Sequence, residues 1–553
     1  MKIVILFFTL FLSLQATQNP TDTQLKKMIG HMLIVGFDES SVSKSSPIVK
    51  DIEQYELGGV ILFDRFYNDR KRVKNISDAA QLQKLTTDLQ SHSKHKLFIA
   101  IDQEGGHVAR LKPKYGFSTI PSAEDVAKLS TKEARKIYTT QSKMLHKEGI
   151  NLNFAPVVDL SINPKNKVIV GLKRSFSKES KTVVKFAKIL IETQKKEQIT
   201  SVLKHFPGHG SSLGDSHQGF VDISDSWSKK ELKPYRALIK SSDAQMIMTA
   251  HVFNSHLDPK YPATLSYKIN TELLRKELGF KGVIVSDDMQ MKAISKHYTL
   301  QESVTLAINA GVDLLLFGNQ LEKSNTKEII ESIFKAVKSG KISLSKIIEA
   351  NRHIENLNTQ NAIIQKPIIF TEKRKELTKE YIKQHYALEV KDISIVPQTI
   401  VLHWTAVMDL EKSFKRLNAQ TLYSDRQDIA SASALNVSAH FLVDRDGTIY
   451  QLMPDNWMAR HVIGLNYSSI GVENVGGEAN KKEDLTPAQL QANIHLIEYL
   501  KAKYPTIKNV IGHYEYREFE SSPLWLEKDA GYRTKKVDPG EEFMENVRSA
   551  LDR

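Results

Sequence analysis

Eight short apolar runs alternate with amphipathic segments over the first two thirds of the chain, and this alternation restricts the fold more than any other feature. The runs cover residues 32–37, 59–63, 97–102, 152–159, 202–206, 246–253, 283–287 and 313–317. Apolar residues recur at helical spacing in segments between and after these runs, such as 132–148, 181–197 and 327–337. Repeated βα units predict a parallel sheet, and eight strands close a (β/α)8 TIM-type barrel. An open doubly wound sheet is the alternative.

Polar residues stand at the carboxyl ends of these predicted strands. They are Asp102, Asp159, Lys204, His205, His251 and Asp287. Because the strand ends of a barrel meet at one mouth, where active sites lie, we expect these side chains to lie close together. A structural alternative exists for Asp287, since it or its neighbour Asp288 could cap the helix that follows.

The stretch 204–220, KHFPGHGSSLGDSHQGF, follows the fifth predicted strand. It contains three histidines and four glycines, and Asp215 and His217 stand two residues apart. The glycines predict a mobile flap, which would bring an imidazole and a neighbouring carboxylate over a bound ligand. A solvated loop with scattered histidines is the alternative.

Two further segments carry arginines toward the same mouth. The segment DQEGGHVARL begins at Asp102, and Gly105 and Gly106 permit a tight turn that would return Arg110 toward the strand ends. Arg174, in KRSFS, has the fixed fork of donors that holds a hydroxyl or an anionic group. Each arginine taken alone would more commonly form a surface ion pair.

The segments DQEGGHVARL, KRSF, KHFPGHGSSLGDSH and VSDDMQM occur in this order within residues 21–364. Together they resemble the family 3 glycoside hydrolases that remove β-N-acetylglucosamine from peptidoglycan fragments. The resemblance implies that Asp287 is the nucleophile and that His217, oriented by Asp215, is the acid/base. It implies sugar binding by Asp102, Arg110, Arg174, Lys204 and His205. One departure is His107, where the family pattern usually has arginine.

These implied roles agree with the chemistry of the residue types. A retaining glycosidase needs a nucleophilic carboxylate on one side of the anomeric carbon and a proton donor on the other. An imidazole titrates near neutral pH, so His217 can both give and take a proton. Asp215 would fix its tautomer and stabilise its cation.

After residue 364 the pattern changes. Residues 365–397 are dense in Lys and Glu, and we interpret them as a charged, solvated helical linker. Residues 398–553 then contain three apolar runs, TIVLHWT, SIGVENVGG and NVIGHYEY, a hairpin pattern in HFLVDRDGTIYQL, and a helix start after Thr486. This order of elements predicts a compact α+β domain with a mixed sheet.

Three potential metal ligands are widely separated in this second part. His403 and His513 stand near the ends of predicted strands, and Asp538 stands beside a turn. Two imidazoles and one carboxylate match a zinc site that has three protein ligands and one open position. The alternatives are a core role for His403 and a simple turn at Asp538. His440 and His461 are either structural or line a cleft.

The segments LHWT, SAHFLVDRDGTIYQL, SIGVENVGG, GHYEY and KVDPG resemble the zinc-dependent N-acetylmuramoyl-L-alanine amidases over residues 399–544. That family also contains peptidoglycan recognition proteins. The resemblance implies His403, His513 and Asp538 as the ligands of one zinc ion. It implies Glu473 as the base that acts on water and Lys536 as a support for the oxyanion. Because all five positions are retained, catalysis is favoured over binding alone.

Composition restricts the partners and the compartment. The formal charge of +13 suits an acidic polymer, but basic and acidic residues are mixed and no arginine-rich arm occurs, so nucleic acid is disfavoured. The absence of cysteine excludes disulfides and thiolate metal sites. Residues 1–20 indicate a secretory signal, with an uncleaved anchor as the alternative. We expect export to the periplasm or the extracellular space, with no stable membrane span after cleavage.

Both resemblances point to one polymer. We expect a bifunctional hydrolase of peptidoglycan or muropeptide fragments that acts in cell-wall turnover or recycling. The barrel, without a cofactor, would cut the sugar–sugar bond, and the C-terminal domain would cut the amide between the lactyl group and L-alanine. Two alternatives remain: a C-terminal domain that only binds peptidoglycan, and a broad exo-glycosidase that acts on chitin-type or plant sugars.

Overall fold

The computed structural model describes residues 19–214 and 219–551, and its N-terminal part is a parallel barrel. In chain order the strands of this part are β1 Leu33–Gly36, β2 Gly59–Ile61, β3 Phe98–Ile101, β4 Leu152–Asn153, β5 Thr200–Phe206, β6 Val221–Asp222, β7 Met246–Thr249, β8 Val252–Phe253, β9 Val283–Ser286 and β10 Leu315–Phe317. Eight of them form one sheet in the order β10-β1-β2-β3-β4-β5-β7-β9. A bridge between Val285 and Leu314 joins β9 to the start of β10 and closes the barrel, which confirms the predicted fold.

Helices surround the barrel and begin where the sequence supplies caps. They are α1 Asp22–His31, α2 Pro47–Tyr55, α3 Ala79–Ser91, α4 Ala123–Val126, α5 Thr131–Lys147, α6 Ser180–Lys196, α7 Lys233–Lys240, α8 Lys292–Ser295, α9 Leu300–Ala310, α10 Thr326–Lys338 and α11 Leu344–Ala362. A π-helical segment covers Lys268–Glu277. Capping boxes start α1 at Thr21, α5 at Ser130 and α9 at Thr299, and each satisfies backbone N–H groups of a first turn.

Two predicted strands were too long. The run 152–159 is a strand only over Leu152–Asn153, because Pro156 lacks an N–H and interrupts the ladder. Val157 then forms only an isolated bridge to Lys204. The run 246–253 divides into β7 and β8, and β8 pairs with β6 in a small separate sheet.

The C-terminal part is built on a mixed sheet, as predicted. Its strands are β11 Ile364–Gln365, β12 Thr399–Trp404, β13 Phe441–Val443, β14 Ile449–Gln451, β15 Ser469–Asn474 and β16 Asn509–Gly512. They lie in the order β11-β14-β13-β15-β12-β16, and only the hairpin β13–β14 is antiparallel. The helices are α12 Glu372–Tyr386, α13 Leu410–Asn418, α14 Gln427–Ala430, α15 Pro487–Lys503 and α16 Glu541–Leu551. The predicted helix after Thr486 is α15, which starts with a capping box.

The segment predicted as a solvated linker is helical, but α12 is not solvated on all sides. Its Lys and Glu residues occupy the outer face, whereas Tyr381, Ile382 and Tyr386 are buried in an apolar cluster of the C-terminal part. Arg374 is also buried, and its guanidinium donates to the carbonyl oxygens of Leu417 and others nearby. The high charge of this segment concealed the apolar stripe on its other face.

The two parts of the chain follow each other without a spacer. The last barrel helix, α11, ends at Ala362, and β11 begins at Ile364 as an edge strand that pairs in parallel with β14. Helix α11 also packs against α15, where His495 Nδ1 lies 3.5 Å from Glu355 Oε1.

Residues 1–18 of the predicted secretory signal lie outside the described residues. Within 19–214 and 219–551, every helix is too short or too polar to span a bilayer.

Candidate active sites

A cavity of about 730 Å³ opens at the carboxyl ends of the barrel strands. Its lining includes the predicted residues Asp102, Arg110, Arg174, Lys204, His205 and Asp287. They come from four separate segments of the chain, which the barrel brings to one mouth because all its strands run in the same direction.

The floor of this cavity is a network of paired charges. Lys204 Nζ lies 2.9 Å from Asp102 Oδ1 and 2.7 Å from Glu104 Oε1. Arg174 donates to both oxygens of Glu104 at 2.8 Å, and Arg110 donates to Asp102 at 3.1 Å. Burial alone would raise the pKa of both carboxyls, but the adjacent cations outweigh it and hold the pKa of each below its usual range. These ionised groups are therefore held in place before any ligand binds.

The tautomer of His205 is fixed by its two neighbours. Its Nε2 lies 3.2 Å from a guanidinium nitrogen of Arg174, and its Nδ1 lies 2.7 Å from Asp159 Oδ2. Since a guanidinium only donates, Nε2 must accept, so Nδ1 carries the hydrogen and donates to Asp159. The other oxygen of Asp159 accepts from the backbone N–H of His209 at 2.8 Å.

The first part of the predicted flap is anchored, because residues 204–212 are all buried. Gly210 N donates to Glu231 Oε2 at 2.8 Å, and a Cβ on Gly208 would lie 2.6 Å from Glu231 Cβ. Burial raises the pKa of Glu231 to about 7. His209 lines the cavity, and burial lowers its pKa to about 4, so its ring is neutral near pH 7. The prediction of a mobile flap was therefore wrong for this part.

Asp287 and Asp288 both line the cavity after β9. Neither caps the next helix, because the N-cap position of α8 is Met291. Asp288 Oδ1 instead accepts from the backbone N–H groups of Gln290 and Gly318, each at 3.1 Å. Asp288 therefore ties the loops after β9 and β10 together, while Asp287 stands at the strand end.

Other predicted residues differ in position. His251 is buried away from the cavity lining, with its Nε2 2.9 Å from the carbonyl oxygen of Asp288, so it supports that loop. His107, at the departure from the family pattern, is exposed. Asp215 and His217 lie outside the described residues. Sequence reasoning missed Glu104 and His209, although both stand in motifs that it had singled out.

The C-terminal part brings His403, His513 and Asp538 together, as predicted. His403 is the last residue but one of β12, His513 follows β16, and these strands are neighbours in the sheet. The two Nδ1 atoms lie 2.9 Å apart, and Asp538 Oδ2 lies 3.2 Å from His403 Nδ1 and 2.9 Å from His513 Nδ1. Ligand atoms around a tetrahedral zinc ion lie about 3.3 Å apart, given zinc–nitrogen bonds of about 2.0 Å. Donor types and spacing therefore fit zinc.

The ring protonation in this cluster also suits a metal. Burial lowers the pKa of His513 to about 4, so its neutral ring offers a lone pair. His403 Nε2 lies 3.0 Å from His461 Nδ1, and His461 Nε2 lies 3.1 Å from Ser469 Oγ, which donates to the carbonyl oxygen of Leu465 at 2.8 Å. Because the Ser469 hydroxyl donates to Leu465, it must accept from the Nε2–H of His461. The Nδ1 of His461 must then accept from the Nε2–H of His403. The hydrogen of His403 is thus held on Nε2, and Nδ1 is left as the metal-facing atom.

Glu473 lies beside the cluster because β15 pairs with β12 in parallel, with Glu473 opposite His403. Its Oε2 is shut off from solvent and makes no hydrogen bond to any residue that the structure describes. Burial raises the pKa of Glu473 to about 7; Asp538 adds to the shift, and His403 and Lys536 oppose it. A buried carboxyl that titrates near neutral pH can exchange protons with a bound ligand. His440 is structural, since its ring nitrogens contact the backbone of Trp457 and Gly471.

Two hydrolase domains thus stand in one chain. Residues 24–357 match the N-terminal domain of glycosyl hydrolase family 3, and the chain belongs to this family. Residues 394–541 match the N-acetylmuramoyl-L-alanine amidase domain.

Relatives of known sequence match the barrel. Beta-hexosaminidase A of Pseudoalteromonas piscicida is 34% identical over 341 residues, which are 56% of this chain and 54% of that protein. The chain therefore spans about half the length of this relative. The beta-hexosaminidase of Tolumonas auensis is 36% identical over 269 residues, which cover 48% of this chain and 76% of that one.

Solved structures show the same fold. The beta-N-acetylhexosaminidase of Beutenbergia cavernae is 26% identical with a TM-score of 0.54, and the match covers 60% of this chain and 98% of that one. A family 3 beta-N-acetylglucosaminidase from a Paenibacillus species matches 91% of this chain and 92% of its own, with a TM-score of 0.55. At 24% identity that second likeness concerns the fold alone.

Proposed function

We propose that the barrel is a retaining β-N-acetylglucosaminidase with Asp287 as its nucleophile. The observation that carries this proposal is the cavity that Asp287 lines together with a floor of paired charges. Such a floor offers fixed donors and acceptors to the hydroxyl and acetamido groups of one sugar. The names of the relatives, beta-hexosaminidases, agree with this substrate class.

In the proposed reaction the terminal sugar is held by Asp102, Arg110, Arg174, Lys204 and His205. Asp287 attacks the anomeric carbon and forms a covalent glycosyl ester as the bond to the leaving oxygen breaks. His217, oriented by Asp215, gives its proton to that oxygen. It then takes a proton from the water molecule that hydrolyses the ester, which restores both residues.

The test of the barrel is hydrolysis of the disaccharide GlcNAc-β-1,4-MurNAc. The Asp287→Ala and His217→Ala variants should fold but lose turnover of this poor leaving group. The exposed Asp225→Ala serves as a matched control and should retain activity. Undiminished hydrolysis by Asp287→Ala or His217→Ala would reject the assigned role. An aryl β-glucoside cleaved as fast as the aryl β-N-acetylglucosaminide would favour the broad exo-glycosidase instead.

We further propose that the C-terminal domain is a zinc amidase, in which His403, His513 and Asp538 hold the ion. When bound there, zinc would act as a Lewis acid toward the amide carbonyl and would lower the pKa of water. Glu473 accepts the proton of the attacking water and transfers it to the departing amine of L-alanine. The Lys536 ammonium stabilises the negative charge that develops on the carbonyl oxygen.

Mass spectrometry of defined muropeptides separates the two activities. Glu473→Ala and treatment with a chelator should remove the free-peptide products and leave the release of GlcNAc intact, whereas Asp287→Ala should do the reverse. Zinc content after dialysis gives an independent measure of the site. If wild-type protein released no peptide and its binding of muropeptides resisted the chelator, the C-terminal domain would be a binding module only.

The proposed setting is cell-wall turnover outside the cytoplasm, with peptidoglycan or muropeptide fragments as substrates. It is supported by the pairing of these two domains in one chain, because the bonds they would cut occur in the same polymer. Fractionation of cells that express the full chain would test the export, with the protein expected in the periplasmic or extracellular fraction.

A further inference from the structure

A loop over residues 64–73, here called the rim loop, borders the barrel cavity beyond the paired charges of its floor. Its neck is closed by hydrogen bonds between Phe63 and Asn75, both at 2.9 Å. The adjacent Lys74 side chain is buried, and its ammonium donates to the carbonyl oxygen of Asn319 at 3.1 Å and lies 3.3 Å from Asp38. The rim loop therefore leaves the barrel at a fixed place.

The far side of the rim loop is also fastened. Tyr67 N donates to Gln320 Oε1 at 3.0 Å, and Gln320 Nε2 donates to the carbonyl oxygen of Arg65 at 3.1 Å. Within the loop the guanidinium of Arg72 lies 3.6 Å from the centre of the Phe66 ring. A loop held at its neck and along its first half presents its side chains in advance, which lowers the entropic cost of binding a ligand.

The rim carries positive charges that lack ion-pair partners among the described residues, whereas the positive charges of the floor are paired. Arg65 and Arg70 of the rim loop and Lys167 from the facing segment all line the cavity. Across 19–214 and 219–551 none of these three forms an ion pair, whereas Arg110, Arg174 and Lys204 on the floor all do. The mouth of the cavity is therefore cationic.

The two acids of the rim loop are engaged elsewhere. Asp64 Oδ2 lies 2.6 Å from Lys112 Nζ. The second acid of the loop, Asp69, turns its carboxylate to the backbone N–H groups at 71 and 72, at 3.2 and 3.3 Å.

We propose that Arg65, Arg70 and Lys167 form a subsite that binds a carboxylate on the leaving group of the glycosidase reaction. The inference rests on the proposed function of the barrel. If the terminal sugar lies among the strand ends beside Asp287, its leaving group must extend outward past these cations. Carboxylates of two sources would fit: the lactyl group of muramic acid once its amide is cut, and the acidic residues of an intact stem peptide.

The test compares substrates that differ only in charge. One pair is GlcNAc-β-1,4-MurNAc with a free lactyl acid and the same disaccharide as its methyl ester. The second pair is GlcNAc-MurNAc-L-Ala-D-Glu and its form with both glutamate carboxyls amidated. The readout is release of GlcNAc in the presence of a chelator, so that the proposed amidase does not cut the peptide from the second pair. It is expressed as the ratio of kcat/KM for the charged substrate to that for the neutral one.

The rim variant, Arg65→Gln/Arg70→Gln/Lys167→Gln, should lower this ratio about tenfold, because each of these charges contributes a factor of about two to three. Raising the salt concentration from about 0.05 to about 0.5 M should lower the wild-type ratio and leave that of the rim variant nearly constant. A fall in the first pair identifies the lactyl carboxylate as the bound group, and a fall in the second identifies the peptide.

The matched control is Lys143→Gln/Lys181→Gln/Lys196→Gln, which removes three exposed cations from α5 and α6 on the outside of the barrel. Its ratio should equal that of wild type. Equal ratios in rim variant, control and wild type for both pairs would overturn this inference alone. Failure of wild type to release GlcNAc from any of the four substrates would overturn the proposed function, and the inference with it.

Discussion

Replacing His461 by Ala should weaken zinc binding while leaving the three ligands of the cluster in place. His461 accepts from His403 Nε2 at 3.0 Å and passes the chain of hydrogen bonds to Ser469. Without His461, the hydrogen of His403 is no longer held on Nε2, and the ring is free to turn or to place its hydrogen on Nδ1. Either change removes the lone pair that faces the metal.

The size of the effect follows from that single contact. The His403 ring becomes more positive when it binds zinc, and a hydrogen bond donated by such a charged group contributes about 1.5–3 kcal/mol. This energy corresponds to about 10- to 100-fold in the dissociation constant of zinc, the range known for groups that orient metal-bound histidines. Ser469→Ala leaves His461 in place and should weaken zinc binding only about threefold, since it breaks the outer hydrogen bond of the chain.

Zinc affinity of the full chain would be measured by competition with a chromophoric chelator. His461→Asn should restore much of the affinity, because Asn Oδ1 can accept near the position of His Nδ1. His403→Ala, which removes a ligand, gives the lower limit, and the unfolding transition of the C-terminal part reports whether each variant is folded. Wild-type zinc affinity in His461→Ala would refute the reasoning.

Three other substitutions test the remaining parts of the structure. Glu104→Ala leaves Arg174 and Lys204 buried without their shared carboxylate, so chemical denaturation of the barrel should show a loss of about 3–5 kcal/mol; an unchanged midpoint would contradict the network. The pKa of Glu231 is raised from 4.5 to about 7, so the native state binds a proton that the unfolded state releases. Wild type should therefore lose up to about 3 kcal/mol relative to Glu231→Gln as the pH rises across that interval, and parallel stability curves would exclude it. Gly447 has φ +88° in the β13–β14 turn, so Gly447→Ala should destabilise the C-terminal part by about 1–2 kcal/mol without changing barrel stability, measured by two-phase unfolding.

The barrel and the placement of its cavity residues were predictable because both depend on local patterns. The alternation of strand and helix periods can be recognised within short stretches of sequence. Parallel strands then bring Asp102, Lys204 and His205 to one end of the barrel, independently of the loop conformations. Glu104 was missed because a residue past a strand end can turn either way, and the Gly105–Gly106 turn decides its direction.

Other features depend on contacts that sequence spacing does not encode. His461 reaches His403 only because the segment after β14 folds back over β12 and β15. The buried face of α12 depends on the rest of the C-terminal part, which supplies the cluster that covers Tyr381 and Tyr386. In both cases the residue type was visible, but the partner was fixed by tertiary structure.

A single residue, Ile363, separates the end of α11 from the start of β11. The two catalytic units consequently have no adjustable tether. Removing Ile364 and Gln365 would take away the edge strand β11 and leave the outward-facing backbone groups of β14 without their partners. The relative orientation of the two units is therefore set by their folds. An isolated C-terminal fragment should begin before Ile364, so that β14 keeps its pairing with β11.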